Sequence, residues 1–431
     1  MSLARDVPFS EYGENELTIA AAENLSDMPG FPLEENHVAM NEDGSIDPQK
    51  HLFRPNFVGI DKGPLVSQLL MSDFTMDSIT SSPKASTFVP GVNFMTDWDS
   101  WLHIQNGGAK DSPEELDPTP RYIRNARDLA RMVVTDTIYT EAFRGTMVLL
   151  EKGAISGDGF NGPYRSSSRQ KGFVQYGLSH IMRMLGGCEG SQRASFFQKW
   201  NVHLVARPEA VGGVVHNILN GNMDRSLLDE SLLDNSGLLD RVATANAAQN
   251  EANGVPGSTY LLSQAVKDGS PAHPSYPAGH AVQNGAFATA IKAYVGLERG
   301  IRCFPNPHIS SVDGLELEAY LPSADETCIA EDGTEKHGVT YEGEINKLAA
   351  NVAFGRQMVG VHYRFDSTEG MILGETITVR MFQQEVESFP EKDPYQFRLF
   401  HGDVVQLNPN GSFLINGKLC AGPVYTGADN C

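Results

Sequence analysis

The stretch HPSYPAGHAVQNGAFATAIKAYVGLE, residues 273–298, decides how this chain is read. Its first third is a bend, because Pro277 and Gly279 interrupt regular structure just ahead of His280. The remainder is rich in Ala and Gly on one face and predicts a helix whose small side chains let neighbouring helices cross closely, as in the interior of a bundle. Such a helix turns its free N–H groups and the positive end of its dipole toward the bend. The Gly279 N–H, with no side chain over it, is a natural oxyanion donor.

Outward from this segment the pattern stays helical. In RYIRNARDLARMVVTDTIYTEAFRGTMVLL (121–150), apolar residues at Leu129, Met132, Val133 and Ile138, then at Phe143, Met147 and Leu150, predict one long helix or two abutting ones, with Pro118 and Pro120 ahead of the start. SHIMRMLGG (179–187), ASFFQKWNVHL (194–204) and GEINKLAANVAFGRQMV (343–359) add further helices. The tail differs: ETITVRMF (375–382) and FRLFHGDVVQL (397–407) alternate or are β-branched, and Asn408-Pro409-Asn410-Gly411 follows as a turn, so a short terminal hairpin is expected. The fold class is therefore all-α, a helical bundle core with minor short β-hairpins. Residues 1–50 are polar and acidic with scattered Pro and Gly, and read as an irregular N-terminal arm lying on the surface or reaching a neighbouring subunit. Residues 51–431 read as one domain. Asn41 to Asp47 invites a calcium reading but lacks the ligand spacing of an EF-hand, and reads as a plain turn.

Fifty-four acidic residues against 33 Lys plus Arg give a formal charge of -21, which argues against nucleic acid and anionic membranes as partners. No run of 18 apolar residues occurs and the N-terminus lacks the apolar core of a leader, so a soluble protein is expected, with export left unread. Five cysteines show no C-x-x-C spacing, which disfavours zinc and haem, and leave the redox state open. Cys420 and Cys431 bracket a segment short enough to close as a loop if oxidised.

In so acidic a chain, clustered cations point to a pocketed anion. Three segments carry them beside a helix breaker: KWNVHLVARPEAVGG, HPSYPAGHA and FGRQMVGVHYRFD supply Lys199, Arg207, His280, Arg356 and His362. Arg207 precedes Pro208 and is biased out of the helical region, so Lys199 projects from a helix and Arg207 from its frayed end. Arg356 and His362 are six apart, so one must leave regular helix for both to face one point, with Gly355 and Gly360 as candidate breaks. His362 and Asp366, four apart, share a helical face, so Asp366 can accept from the inner imidazole nitrogen and free the outer one for a ligand.

The set Lys-x7-Arg-Pro, Pro-x-Gly-His and Arg-x5-His-x3-Asp resembles the signature shared by vanadium haloperoxidases and the type 2 phosphatidic acid phosphatase superfamily. The longer stretches RYIRNARDLA, KWNVHLVARPEA, SYPAGHA, GRQMVGVHYRFD, GMILGETITVR, FRLFHGDVVQLNPNG and CAGPVYTGADNC are similar to algal and cyanobacterial bromoperoxidases, from about residue 50 to the C-terminus. The resemblance implies that 51–431 is a catalytic domain holding orthovanadate, with His362 as the single protein ligand to vanadium and Lys199, Arg207, Arg356, His280 and the Gly279 amide around its oxygens. It implies His280 as acid and base, Lys199 as the group polarising peroxide, and hydrogen peroxide, bromide or iodide and small organic acceptors as substrates. It also implies a homodimer or higher homo-oligomer. His273, seven residues before His280, stands where the bromoperoxidases carry a histidine, and favours bromide or iodide over chloride.

Each residue also has a plainer meaning. Taken singly, Lys199 reads as solvated, Arg207 as an ion pair and the histidines as caps or core; the conjunction gives them function. His203 and His216 are expected to be structural, and Phe196 and Trp200 to be core or the floor of a halide pocket. One departure stands out: the usual Ser-Gly-His is Ala278-Gly279-His280 here, which removes one hydrogen bond to the oxoanion. Two other functions fit the same residues, a phosphatase working through a phosphohistidine at His362 and a non-catalytic oxoanion binder.

Overall fold

The computed structural model describes residues 2–27, 41, 43–155, 163–164, 167–391, 393–422 and 424–428. Its helices of eight residues or more are α1 (Glu16–Ser26), α2 (Trp98–Gln105), α3 (Ala126–Thr135), α4 (Thr140–Glu151), α5 (Leu178–Cys188), α6 (Ser191–Gln198), α7 (Pro208–Leu219), α8 (Ser236–Ala252), α9 (Gly279–Val295), α10 (Tyr341–Val359) and α11 (Arg364–Glu387). The chain is all-α with short antiparallel strand pairs at its margins, as the sequence predicts.

Helix α9 is the axis. Every residue from Ala281 to Val295 is buried, which explains why its sequence shows no polar face. It packs most extensively on α11 and then on α10. Glycines allow this: a Cβ at Gly374 would lie 2.0 Å from the Val282 carbonyl oxygen, and one at Gly285 would lie 2.3 Å from that of Met371. The backbones of α9 and α11 therefore touch.

The 121–150 segment starts later than expected. Asn125 caps α3, its side chain accepting from the Asp128 N–H at 2.9 Å, and residues 136–139 separate α3 from α4, with Ile138 at φ 63°. The larger correction concerns ETITVRMF, which lies inside α11 and forms no strand. Buried packing on α9 overrides the β-preference of Thr, Ile and Val. The hairpin begins after it: β1 (Tyr395–Arg398) and β2 (Val404–Leu407) pair, and β3 (Phe413–Ile415) and β4 (Lys418–Leu419) complete a four-stranded sheet.

Within the stretch expected as an irregular arm, residues 2–27 carry α1 and bury Arg5 and Tyr12. Arg5 donates from Nε to the Met358 carbonyl at 2.7 Å, and from Nη2 to those of Ser263 at 2.6 Å and Val359 at 3.2 Å. Met358 and Val359 are the last residues of α10. Asn41 and Ser45 close a hydrogen-bonded turn, Asn41 N–H to the Ser45 carbonyl at 2.9 Å. Cys303 and Cys328 form a disulfide, with Cα atoms 4.9 Å apart; no spacing rule singled out this pair. Cys420 is disulfide-bonded as well, and Cys431, its expected partner, lies outside the described residues. Among the described residues no helix is long and apolar enough to cross a membrane.

Candidate functional site

The bend that opens α9 is clamped from below. Lys199, fully buried, donates to the carbonyl oxygens of Pro274 and Ser275, both at 3.1 Å. The Ser275 N–H donates to the Val205 carbonyl at 2.9 Å, and the Ser195 hydroxyl to that of Pro277 at 3.0 Å. The Tyr276–Pro277 peptide is cis. At Gly279 a Cβ would meet only the Ser195 hydroxyl, at 3.9 Å, so protein packing does not require glycine there.

Lys199 opens a π-helical turn, Lys199–His203, that ends with Leu204 in the left-handed region at φ 50°. Arg207 is extended, as a residue before proline should be, but it caps the start of α7 rather than trailing from the previous helix. Its Nε donates to the His273 carbonyl at 2.8 Å, and its Nη1 to the Val361 carbonyl at 2.8 Å and the His362 Nε2 at 3.0 Å. Arg356 lies in the last turn of α10, donates to the Val133 carbonyl at 3.1 Å, and keeps a buried Nε that no acceptor among the described residues reaches. Burial lowers all three, with repulsion from neighbouring arginines adding to it at Lys199 and Arg207 and Asp136 opposing it at Arg356, so that Lys199 falls to about 7 and each arginine to about 10. An oxoanion reverses that cost.

The αL residue Gly360, φ 109°, ends α10, and places His362 beyond the helix. The contact with Asp366 exists, at 2.8 Å from Nδ1 to Oδ2, but not through a shared helical face. His362 precedes Tyr363, the cap of α11, and Asp366 sits in the first turn and reaches back. Asp366 also accepts from the Ser275 hydroxyl and from the Tyr363 N–H at 3.1 Å. Burial outweighs these hydrogen bonds and holds its carboxyl at about 6. With its Nδ1 proton on Asp366, His362 turns an Nε2 lone pair toward Arg207 and the pocket.

His280, in the first turn of α9, meets a residue the sequence did not single out. Its Nε2 lies 3.3 Å from Asp136 Oδ1, and burial followed by the charge of Arg356 pushes its pKa well below 6.5. Asp136 belongs to the break between α3 and α4, 144 residues earlier. No local pattern marks it. Its carboxyl neighbours that of Glu141, and burial raises both, Asp136 to about 6 and Glu141 to about 8.

His273 joins the cluster, its Nδ1 3.0 Å from Arg207 Nη2 and 3.4 Å from Lys199 Nζ, and its pKa is lowered to about 4 by burial and then by Lys199. The Phe196 ring lies 5.1 Å from the His273 ring and 5.9 Å from Lys199 Nζ, so it borders the site. Trp200 does not; it is 52% exposed. His203 packs edge-on against Tyr276, and His216 stacks on Trp98 and accepts from the Tyr260 N–H. Ala278 is fully buried, and its N–H donates to the Asp366 carbonyl at 3.1 Å.

Fold and site define a class: a helical-bundle enzyme with buried cations gathered around the His362 imidazole. Residues 240–390 match the family model described as the VCPO second helical-bundle domain. A vanadium-dependent bromoperoxidase of Ascophyllum nodosum is 52% identical over 431 residues, covering 100% of this chain and 74% of that protein. One from Corallina officinalis is 28% identical, covering 94% of this chain and 72% of that protein. The homohexameric structure of the second vanadate-dependent bromoperoxidase from Ascophyllum nodosum matches with a TM-score of 0.93 at 40% identity, covering 100% of this chain and 72% of that one. The chain belongs to the vanadium-dependent haloperoxidases, as its three motifs imply.

Proposed function

We propose that this enzyme holds orthovanadate and uses hydrogen peroxide to oxidise bromide or iodide to hypohalous acid, which halogenates small organic acceptors. The observation that carries this reading is that the charges of Lys199, Arg207 and Arg356 all bear on His362, whose Nε2 meets the Arg207 guanidinium at 3.0 Å, with Asp366, Asp136 and Glu209 among the nearby counter-charges. A small, highly charged oxoanion fits this donor set, and the unpartnered Arg356 Nε is one of the donors it would satisfy. His362 would be the metal ligand, held in its tautomer by Asp366. Arg207, Arg356, Lys199 and the Gly279 N–H would neutralise the oxygens. Bound vanadate would supply a Lewis-acidic centre that makes peroxide electrophilic toward halide. His280, kept neutral by its surroundings, would take a proton from incoming peroxide, with Asp136 beside its Nε2 to steady the ring. Lys199 can donate to a developing negative oxygen, and His273 adds a second imidazole beside it.

Triiodide formation by the full chain, with and without peroxide and added orthovanadate, tests the reading. Dependence on both is expected. Phosphate ester hydrolysis without peroxide dependence would replace the reading with the phosphatase. His362→Ala is expected to lose vanadate-dependent turnover while keeping its thermal transition, and a variant retaining most of that turnover would remove His362 from its role. The relative of known structure is a homohexamer. A homo-oligomer is proposed here too, supported by Phe197, Trp200, Val202 and Leu204, which stand 59%, 52%, 55% and 63% exposed along the Lys199 turn.

A further inference from the structure

Arg356 is buried on the site side, yet it also lines a separate surface cleft of about 390 Å³, together with Arg131, Thr135, Val266, Ser270 and Val361. Of the cations of the site the cleft is lined by Arg356, and it lies on a molecule of charge -21. Halide entering from bulk must overcome that field. Two further cations stand in the cleft, and they differ. Lys110 is neutralised by Asp268 at 2.7 Å and Glu114 at 3.4 Å. Arg131, on α3, lies over the Phe88 ring at 5.6 Å and feels the charge of the Glu114 carboxylate, but among the described residues its guanidinium makes no hydrogen bond or ion pair. A planar, weakly hydrated cation backed by an aromatic ring and flanked by Val266 and Val361 suits a large, weakly hydrated anion.

We propose that Arg131 is the halide-collecting residue of this cleft, binding bromide or iodide at the entrance and passing it toward Arg356. Resting on the haloperoxidase reading, it assigns that site a halide specificity residue outside the oxoanion pocket. Arg131 makes no contact with Lys199, Arg207, His280 or His362 among the described hydrogen bonds and ion pairs, so its loss is expected to act on halide capture alone.

The test uses the full chain loaded with orthovanadate. Arg131→Gln is expected to raise the KM for bromide about fivefold while kcat and the KM for peroxide stay within about twofold, and Arg131→Lys, which keeps the charge but not the planar, weakly hydrated group, to restore only part of the difference. Line broadening of the bromide-81 resonance reads anion binding without turnover, and should fall in Arg131→Gln at an unchanged thermal transition. An unchanged bromide KM, or broadening equal to that of the unaltered chain, overturns the proposal. So does a fall in kcat at constant KM, which would place Arg131 in the chemistry. If the unaltered chain broadens bromide through Arg131 but oxidises none, the haloperoxidase reading fails and the halide site stands.

Discussion

Ala278 is the residue where this chain departs from the usual motif, and its position gives a serine there two possible partners. As the cap of α9 it has φ -67° and ψ 124° and makes no side-chain cap bond, so a hydroxyl can either close the helix or face the oxoanion. Ala278→Ser is expected to raise bromide turnover more than iodide turnover if it faces the pocket. If it caps the helix instead, the gain is about 1 kcal/mol in stability with the halide ratio unchanged. Steady-state rates and thermal melts separate the two. Behind His280, Asp136 and Glu141 each keep a buried oxygen that no donor reaches, and one shared proton satisfies both. Burial raises these carboxyls from 3.8 and 4.5 to about 6 and about 8, so the folded chain holds protons that the unfolded chain releases. Their stabilisation is complete below the unfolded values and is lost as pH rises through 6 to 8. Glu141→Gln should flatten the decline of Tm across that window, and an unaltered slope would show that the pair does not titrate there. The motif residues were legible because Pro and Gly mark where each leaves its helix. Asp136 was not, since only the tertiary fold brings it to His280.

At the scale of the element, the contact between α9 and α11 depends on the absence of side chains. Gly374→Ala pushes a methyl group into the Val282 carbonyl and is expected to cost about 3 kcal/mol or to prevent accumulation of folded protein. Gly186→Ala on α5, whose Cβ meets nothing within 4 Å, is the matched control for helix glycines, and urea unfolding of the two variants checks the difference. The same interface explains how the helices could be read from sequence. Small residues in 280–296 announced a close crossing, and the crossing is there. They could not announce which segment fills the other side, so the Thr and Val of 375–382 read as strand until α9 was placed against them. Where an element is buried all round, alternation carries little information and packing decides.

For the whole molecule, the N-terminal segment is tied to the site. Arg5 holds the carbonyls of Met358 and Val359 between Arg356 and His362, so Arg5→Met leaves buried acceptors unpaired. It should lose about 3 kcal/mol of stability and require more orthovanadate for half-reactivation. Equal vanadate affinity in the two proteins would confine Arg5 to stability. Charge on the exposed apolar row tests assembly: Trp200→Glu with Leu204→Lys should shift the mass measured by light scattering toward the monomer, and an unchanged mass would place the interface elsewhere. The cysteines described above have a consequence of another kind. A chain that releases hypohalous acid is the first thing its product meets, and thiols and thioethers are among the softest targets. Cys303 and Cys328 are already joined, and Cys188 is sealed at 0% exposure. Damage from turnover should therefore begin elsewhere, at Met223, 45% exposed, and at the Trp200 indole, 52% exposed. The enzyme's working life in its own product would then be set by surface side chains, long before its core is touched.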